Sequence, residues 1–143
     1  MNEPSWVHIA EVADISASSE AAHHPVASAF ATGTDSEWKA SEPGPQVLAV
    51  RFRAPRTVSR IRLVIIDADH ARTQEFSITW SSHRGERHGV AVRQQFNFSP
   101  RGATRQIEDY TVDLRDVSCL ELRIVPDITG GSAVARVAQF SVA

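Results

Sequence analysis

Residues 46–66 read QVLAVRFRAPRTVSRIRLVII. Leu48, Val50 and Phe52 alternate with Ala49, Arg51 and Arg53, and Ile61, Leu63 and Ile65 alternate with Arg60, Arg62 and Val64. A two-residue period sends apolar side chains to one sheet face and arginines to the other, which is a strand facing a core on one side. Between the two runs stands Ala54-Pro55-Arg56-Thr57. Proline presets φ and has no N–H to give a ladder, so the stretch reads as strand, tight turn, strand.

Outward from this hairpin the same period recurs. Val7 and Ile9 mark a first strand over residues 6–15. Phe76, Ile78 and Trp80 mark a strand over 75–81, and residues 90–98 another. Tyr110, Val112 and Leu114 are in phase, as are Leu120, Leu122 and Ile124, and finally Ala138, Phe140 and Val142. The connections carry Gly, Pro, Asp and Ser, and no long helical period appears. Eight strands with such turns predict an all-β fold, an eight-stranded antiparallel jelly-roll β-sandwich forming a single domain over residues 1–143.

Composition narrows the functions. The chain has 143 residues, 42% hydrophobic and 22% charged, with a formal net charge of −2. That balance gives no global attraction to nucleic acid or an anionic membrane. No stretch approaches the roughly 18 apolar residues of a membrane span. Cys119 is the single cysteine, so no intrachain disulfide forms, and its place in Ser118-Cys119-Leu120-Glu121-Leu122 reads as a packed thiol. The first residues lack a basic region followed by an apolar one, which predicts a cytoplasmic protein. A domain excised from a longer secreted chain would read the same way.

Consecutive connections of an antiparallel sandwich alternate between its two ends. One end then receives the long connections, residues 14–46, 67–74, 99–106 and 126–132. The other receives the short turns at 54–57, 82–89 and 115–118. Long polar loops on a rigid scaffold are where such folds bind ligands. The candidate ligand-binding residues there are Trp38, Asp69, His70, Arg72 and Arg101. Asp69 and Arg72 have the planar polar groups that sugar hydroxyls need, His70 adds a further polar contact, and Trp38 is the candidate flat apolar platform. Four of them have a structural alternative: Trp38 as a core residue, and Asp69, His70 and Arg72 as part of an ordinary solvated loop. Gln95 and Asn97 point to the outer sheet face if Phe96 and Phe98 point in. His83 and His88 fall at the short-turn end.

No enzyme signature appears: no G-x-S-x-G, no H-E-x-x-H, no P-loop and no glycine-rich dinucleotide motif. The expectation is a binding protein without catalysis. Asp67-x-Asp69-His70 has ligand types for a divalent ion, but so short a cluster arises readily by chance, and no metal site is expected from it.

The order of several pieces resembles the discoidin, or coagulation factor type C, family of the galactose-binding-like superfamily. It is similar in particular to the bacterial family 32 carbohydrate-binding modules. The pieces are Ile15-Ser-Ala-Ser-Ser-Glu20, His24-Pro25 through Phe30-Ala-Thr-Gly33, and Ser36-Glu-Trp38-Lys-Ala-Ser41. The hairpin and Ala135-Arg-Val-Ala-Gln-Phe-Ser-Val142 complete the set. The resemblance implies a non-catalytic β-sandwich whose loops bind sugars, lipid head groups or proteins, and that Trp38 packs under a loop. It implies also, in many members, a structural calcium held by the first long loop and the last strand. Here those positions carry Thr32 and Gln139 instead of carboxylates, with Asp35 and Glu37 nearby. No cofactor is therefore expected, with structural calcium as the alternative. Carbohydrate binding at the long-loop end is the leading expectation, and an intracellular protein-interaction module on the same fold is the alternative.

Overall fold

The computed structural model describes residues 5–31 and 36–143. Its strands are β1 (Ala13–Ala17), β2 (Trp38–Pro43), β3 (Gln46–Ile66), β4 (Arg72–Ser82), β5 (His88–Phe98), β6 (Arg105–Val125), β7 (Val134–Val137) and β8 (Gln139–Val142). Two single helical turns, α1 (Ile9–Val12) and α2 (Ala27–Phe30), lie among them. The first strand thus starts later than the alternation of Val7 and Ile9 suggests. Ile9 is buried from a helical turn instead.

Residues 46–66 do not fold back on themselves. They form one strand of 21 residues, and β6 is equally long. The two run antiparallel from Gln46 opposite Ile124 to Ile66 opposite Arg105. The ladder is irregular between Arg51 and Arg60, and Asp116 sits there at φ 60°, the left-handed region that helps a strand bend. Pro55 falls in this gap, where its missing N–H takes nothing from the ladder. The same bend absorbs residues 115–118, read from the sequence as a separate turn.

On either side of the bend the neighbours change. The first half of β3 lies between β1 and the second half of β6, which pairs onward to β4 and β5. The second half of β3 lies between β8 and the first half of β6. The result is an antiparallel β-sandwich with a five-stranded layer and a three-stranded layer, sharing the β3–β6 ribbon. A small β2–β7 ribbon stands beside them.

The alternation along β3 is as expected. Leu48, Val50, Ile61, Leu63 and Ile65 are fully buried in one core with Phe76, Ile78, Leu120, Leu122, Ile124 and Phe140. Each such side chain contributes about 1.5–3 kcal/mol relative to exposure. Phe98 is buried and Phe96 half-buried, which leaves Gln95 and Asn97 on the outer face. There they are occupied: Gln95 donates to Glu75, and Thr73 to Asn97. His83 and His88 are exposed at the opposite end.

Candidate functional site

Because β3 bends over at its middle, Gln46 and Ile66 end up at the same end of the sandwich. The connections expected there do meet. The Asp67 amide donates to the Thr104 carbonyl, which joins the β3–β4 and β5–β6 connections. The Ile128 amide donates to the Thr73 carbonyl, which brings in the β6–β7 connection. Ser18 and Ser19 both donate to the Gln46 side chain, fixing the start of the long first connection.

Underneath lies a buried polar cluster. Asp67 and Arg72 are 2% and 5% exposed, and the Arg72 Nε donates to Asp67 Oδ2 at 2.9 Å. Arg72 Nη1 donates to the Pro126 carbonyl and to Gln74 Oε1. Among the described residues its Nη2 has no hydrogen-bond partner, but the guanidinium lies 4.4 Å from the centre of the Phe98 ring, whose π face accepts positive charge. Arg136 of β7 approaches Asp67 at 3.8 Å and binds Glu37 at 2.5 Å. Gln74 continues the network to Gln106, and Gln106 to Glu108.

Burial raises the Asp67 pKa, but the Asp69 amide, Arg72 and His70 outweigh it and hold the carboxyl at about 2. Asp67 is thus an anion at neutral pH. It accepts from His70 Nδ1 at 3.0 Å, which fixes the proton on Nδ1 and turns Nε2 away from the carboxylate. The His70 side chain is 60% exposed. Its Nε2 takes part in neither contact with the carboxylate. Asp69 and Arg101 are exposed on the two connections that the Asp67–Thr104 bond joins.

The five sequence candidates divide. Asp69, His70 and Arg101 face solvent. Arg72 is buried, with Nε and Nη1 bonded to protein groups and the guanidinium over the Phe98 ring, so it anchors the loops. Trp38 is 0% exposed and its Nε1 donates to the Ser19 carbonyl. It fastens the first long connection to the core and, fully buried, presents no platform.

The apolar surface at this end comes from residues that sequence reasoning passed over. A hollow of about 250 Å³ is lined by Gly44, Pro45, Pro126, Asp127, Ile128 and Gly130, among others. Ile128 is 46% exposed, one of few large apolar side chains left in water. Gly130 and Gly131 have φ of 90° and 88°, a backbone only glycine adopts readily, so the wall there is bare peptide. An apolar residue flanked by Asp127 and Gly130-Gly131 was the one available signal. Asp127 takes the Thr129 amide and hydroxyl on Oδ1, which closes the loop tightly.

Calcium does not fit the described donors. Gln139 is neutral and donates to Ser141, and the Glu37 carboxylate is taken by Arg136 and Lys39. Thr32 and Asp35 lie outside the described residues. Among the described residues no group of three or more His, Cys, Asp or Glu could hold a metal ion. The Asp67-x-Asp69-His70 run is a turn in which Asp67 serves Arg72, His70 and the Asp69 amide.

No family model and no curated protein sequence matches the chain. Solved structures do. A family 32 carbohydrate-binding module of NanJ from Clostridium perfringens, in complex with galactose, superposes with a TM-score of 0.66 at 18% identity, covering 96% of each chain. The module CpGH89CBM32-4 of Clostridium perfringens, in complex with GlcNAc-α-1,4-galactose, gives 0.69 at 14% identity, covering 99% of this chain and 96% of that one. Chitosan-binding module 1 of a chitosanase/glucanase from Paenibacillus sp. IK-5 gives 0.61 at 20% identity, covering 96% and 98%. The chain has the discoidin-type, galactose-binding-like β-sandwich fold that it shares with family 32 carbohydrate-binding modules.

Proposed function

We propose that the chain is a non-catalytic carbohydrate-binding module that takes its glycan at the long-loop end. The observation that carries this reading is the pairing, at one end, of an apolar hollow with exposed polar groups on a buried ionic anchor. Ile128 and Pro45 offer a surface for the C–H face of a sugar ring. His70 Nε2, Asp69 and Arg101 offer an acceptor, a carboxylate and a planar donor for its hydroxyls. The Asp67–Arg72 pair holds the β3–β4 and β6–β7 connections in fixed positions, which lowers the ordering cost of binding. Three structural neighbours of the same fold are described as modules bound to galactose or its derivatives, or binding chitosan, and they support the same class of ligand.

A glycan array followed by calorimetry tests it. The native chain should bind at least one neutral or acidic glycan. Ile128→Ser should weaken that binding about tenfold, the loss of one well-buried apolar contact. His70→Ala should weaken it with no change in melting temperature. Absence of binding across neutral and acidic glycans overturns the reading.

A further inference from the structure

β5 carries one residue too many for its ladder with β4. Ile78 lies opposite Val92, and the next residue, Thr79, lies opposite Val90, so Ala91 has no place of its own in the register. This is a β-bulge, and beyond it the two faces of β5 exchange. Phe98, Phe96 and Val92 pack on the core, and the same period would bury Val90 with them. The bulge turns Val90 out instead. It is 63% exposed, and Gly89 takes the place opposite Trp80. Gly89 has an ordinary strand backbone, and a Cβ there would stand 3.3 Å from Trp80 Nε1, so room beside the indole is what favours glycine. An apolar residue moved from core to water breaks the local pattern, and such breaks gather at sites of use.

The exchange of faces builds a hollow. Thr79 and Ser81 of β4 lie between Val90 and His88 of β5 on one side and Glu121 and Cys119 of β6 on the other. These six residues line a hollow of about 290 Å³ on the outer face of the five-stranded layer, towards the short-turn end. Short side chains at Thr79, Ser81 and Cys119 leave the space that longer ones at Val90, His88 and Glu121 border. Among the described residues the Thr79 and Ser81 hydroxyls, the His88 ring and the Glu121 carboxylate make no hydrogen bond or ion pair. None of them is engaged in holding the fold. An exposed apolar surface beside two free hydroxyls, an imidazole and a carboxylate suits a ring with a C–H face and a hydroxylated rim. No Lys or Arg lines the hollow, which disfavours an anionic ligand. Arg51, opposite Cys119 on β3, acts on the same thiol as Glu121 with the opposite sign, so the local charge is balanced and a neutral ring is preferred to a cationic one.

We propose that this hollow is a second sugar site, taking one neutral pyranose ring with its C–H face on Val90 and its hydroxyls on Glu121, Thr79 and Ser81. Its volume is near the lower end of ligand pockets, roughly 300 Å³, which is room for a single ring. The site shares no residue with the long-loop end and does not depend on it. A chain with both sites filled holds glycan at two separate places.

Cys119 lies in the hollow, so its alkylation by iodoacetamide in the folded chain reports occupancy. Glucose, galactose, mannose and N-acetylglucosamine are the probes, with glycerol at matched hydroxyl concentration as the control. At least one of the four sugars should slow the alkylation severalfold at saturation. Ile128→Ser should leave that protection intact. Val90→Ser, at an exposed position, should raise the sugar concentration needed about tenfold, with an unchanged circular dichroism spectrum. Glu121→Gln should act in the same direction. Protection is compared with and without sugar within each variant, because Glu121 itself acts on the thiol. No protection by any of the four sugars, or protection that glycerol equals, overturns the proposal. Protection that Val90→Ser leaves unchanged overturns it too. Glycan bound at the long-loop end while Cys119 stays unprotected removes this proposal and leaves the reading of that end standing.

Discussion

Arg72 Nε lies 2.9 Å from Asp67 Oδ2, and side-chain exposure is 1% for the arginine and 2% for the aspartate. A charge pair this dry is stable only as a pair. Asp67→Asn leaves the guanidinium buried with a neutral neighbour, and it should cost about 3–5 kcal/mol in urea unfolding. Asp67→Asn combined with Arg72→Met should cost clearly less than the sum of the two single changes, because the second change removes the stranded charge.

The same carboxylate sets an acid limit. Its folded pKa of about 2 is below the value near 3.9 of an unfolded aspartate. The unfolded chain therefore takes the proton first as pH falls. Stability from this group is fully present above about pH 4 and is lost as pH falls from there towards 2. Glu75, Asp109 and Asp127 also have lowered values, so the native acid profile is shared. The difference between the native and Asp67→Asn profiles isolates Asp67. That difference should shrink steadily between pH 4 and pH 2.

Trp38 gives a contrasting expectation. Trp38→Ala should cost about 3–5 kcal/mol, since it empties a fully buried site. Trp38→Phe should cost less, keeping most of the packing while leaving the Ser19 carbonyl without its donor. At temperatures where Trp38→Phe remains folded, its glycan affinity should match the native chain. A large affinity loss with unchanged stability would instead make Trp38 a ligand contact.

Cys119 is half-buried, and burial pushes its thiol pKa up despite Arg51 nearby. A raised pKa means less thiolate at pH 8. Alkylation of the folded chain should be much slower than that of the urea-unfolded chain, and it should report unfolding directly.

The sequence made the core of the sandwich readable because alternation is a local property. Leu48, Val50, Ile61, Leu63 and Ile65 face where their period says. The turn at Pro55 was misread because a hairpin and a bend share the same local chemistry. What separates them is whether Arg56 and Val58 find Val117 and Leu114 or find the strand before them, and that pairing is non-local. The convergence of the long connections survived the error, since a bend and a turn both return the chain to the end it left.

The candidate site was less legible for the same reason. Trp38 and Arg72 have the side chains of ligand contacts, and only tertiary packing withdraws them from the surface. Ile128 has the side chain of a core residue, and only packing leaves it out. Asp69, His70 and Arg101 are exposed, as their place in polar connections suggests.

The shared ribbon of β3 and β6 also governs how the protein comes apart. In a sandwich of independent sheets one layer can loosen while the other persists. Here each of the two longest strands is a member of both layers, so neither layer has a boundary of its own. Their pairing joins segments far apart in the chain, which places assembly among the slower, millisecond-to-second folders. Amide protons in the inner halves of both strands should exchange together, at a single rate set by opening of the whole domain.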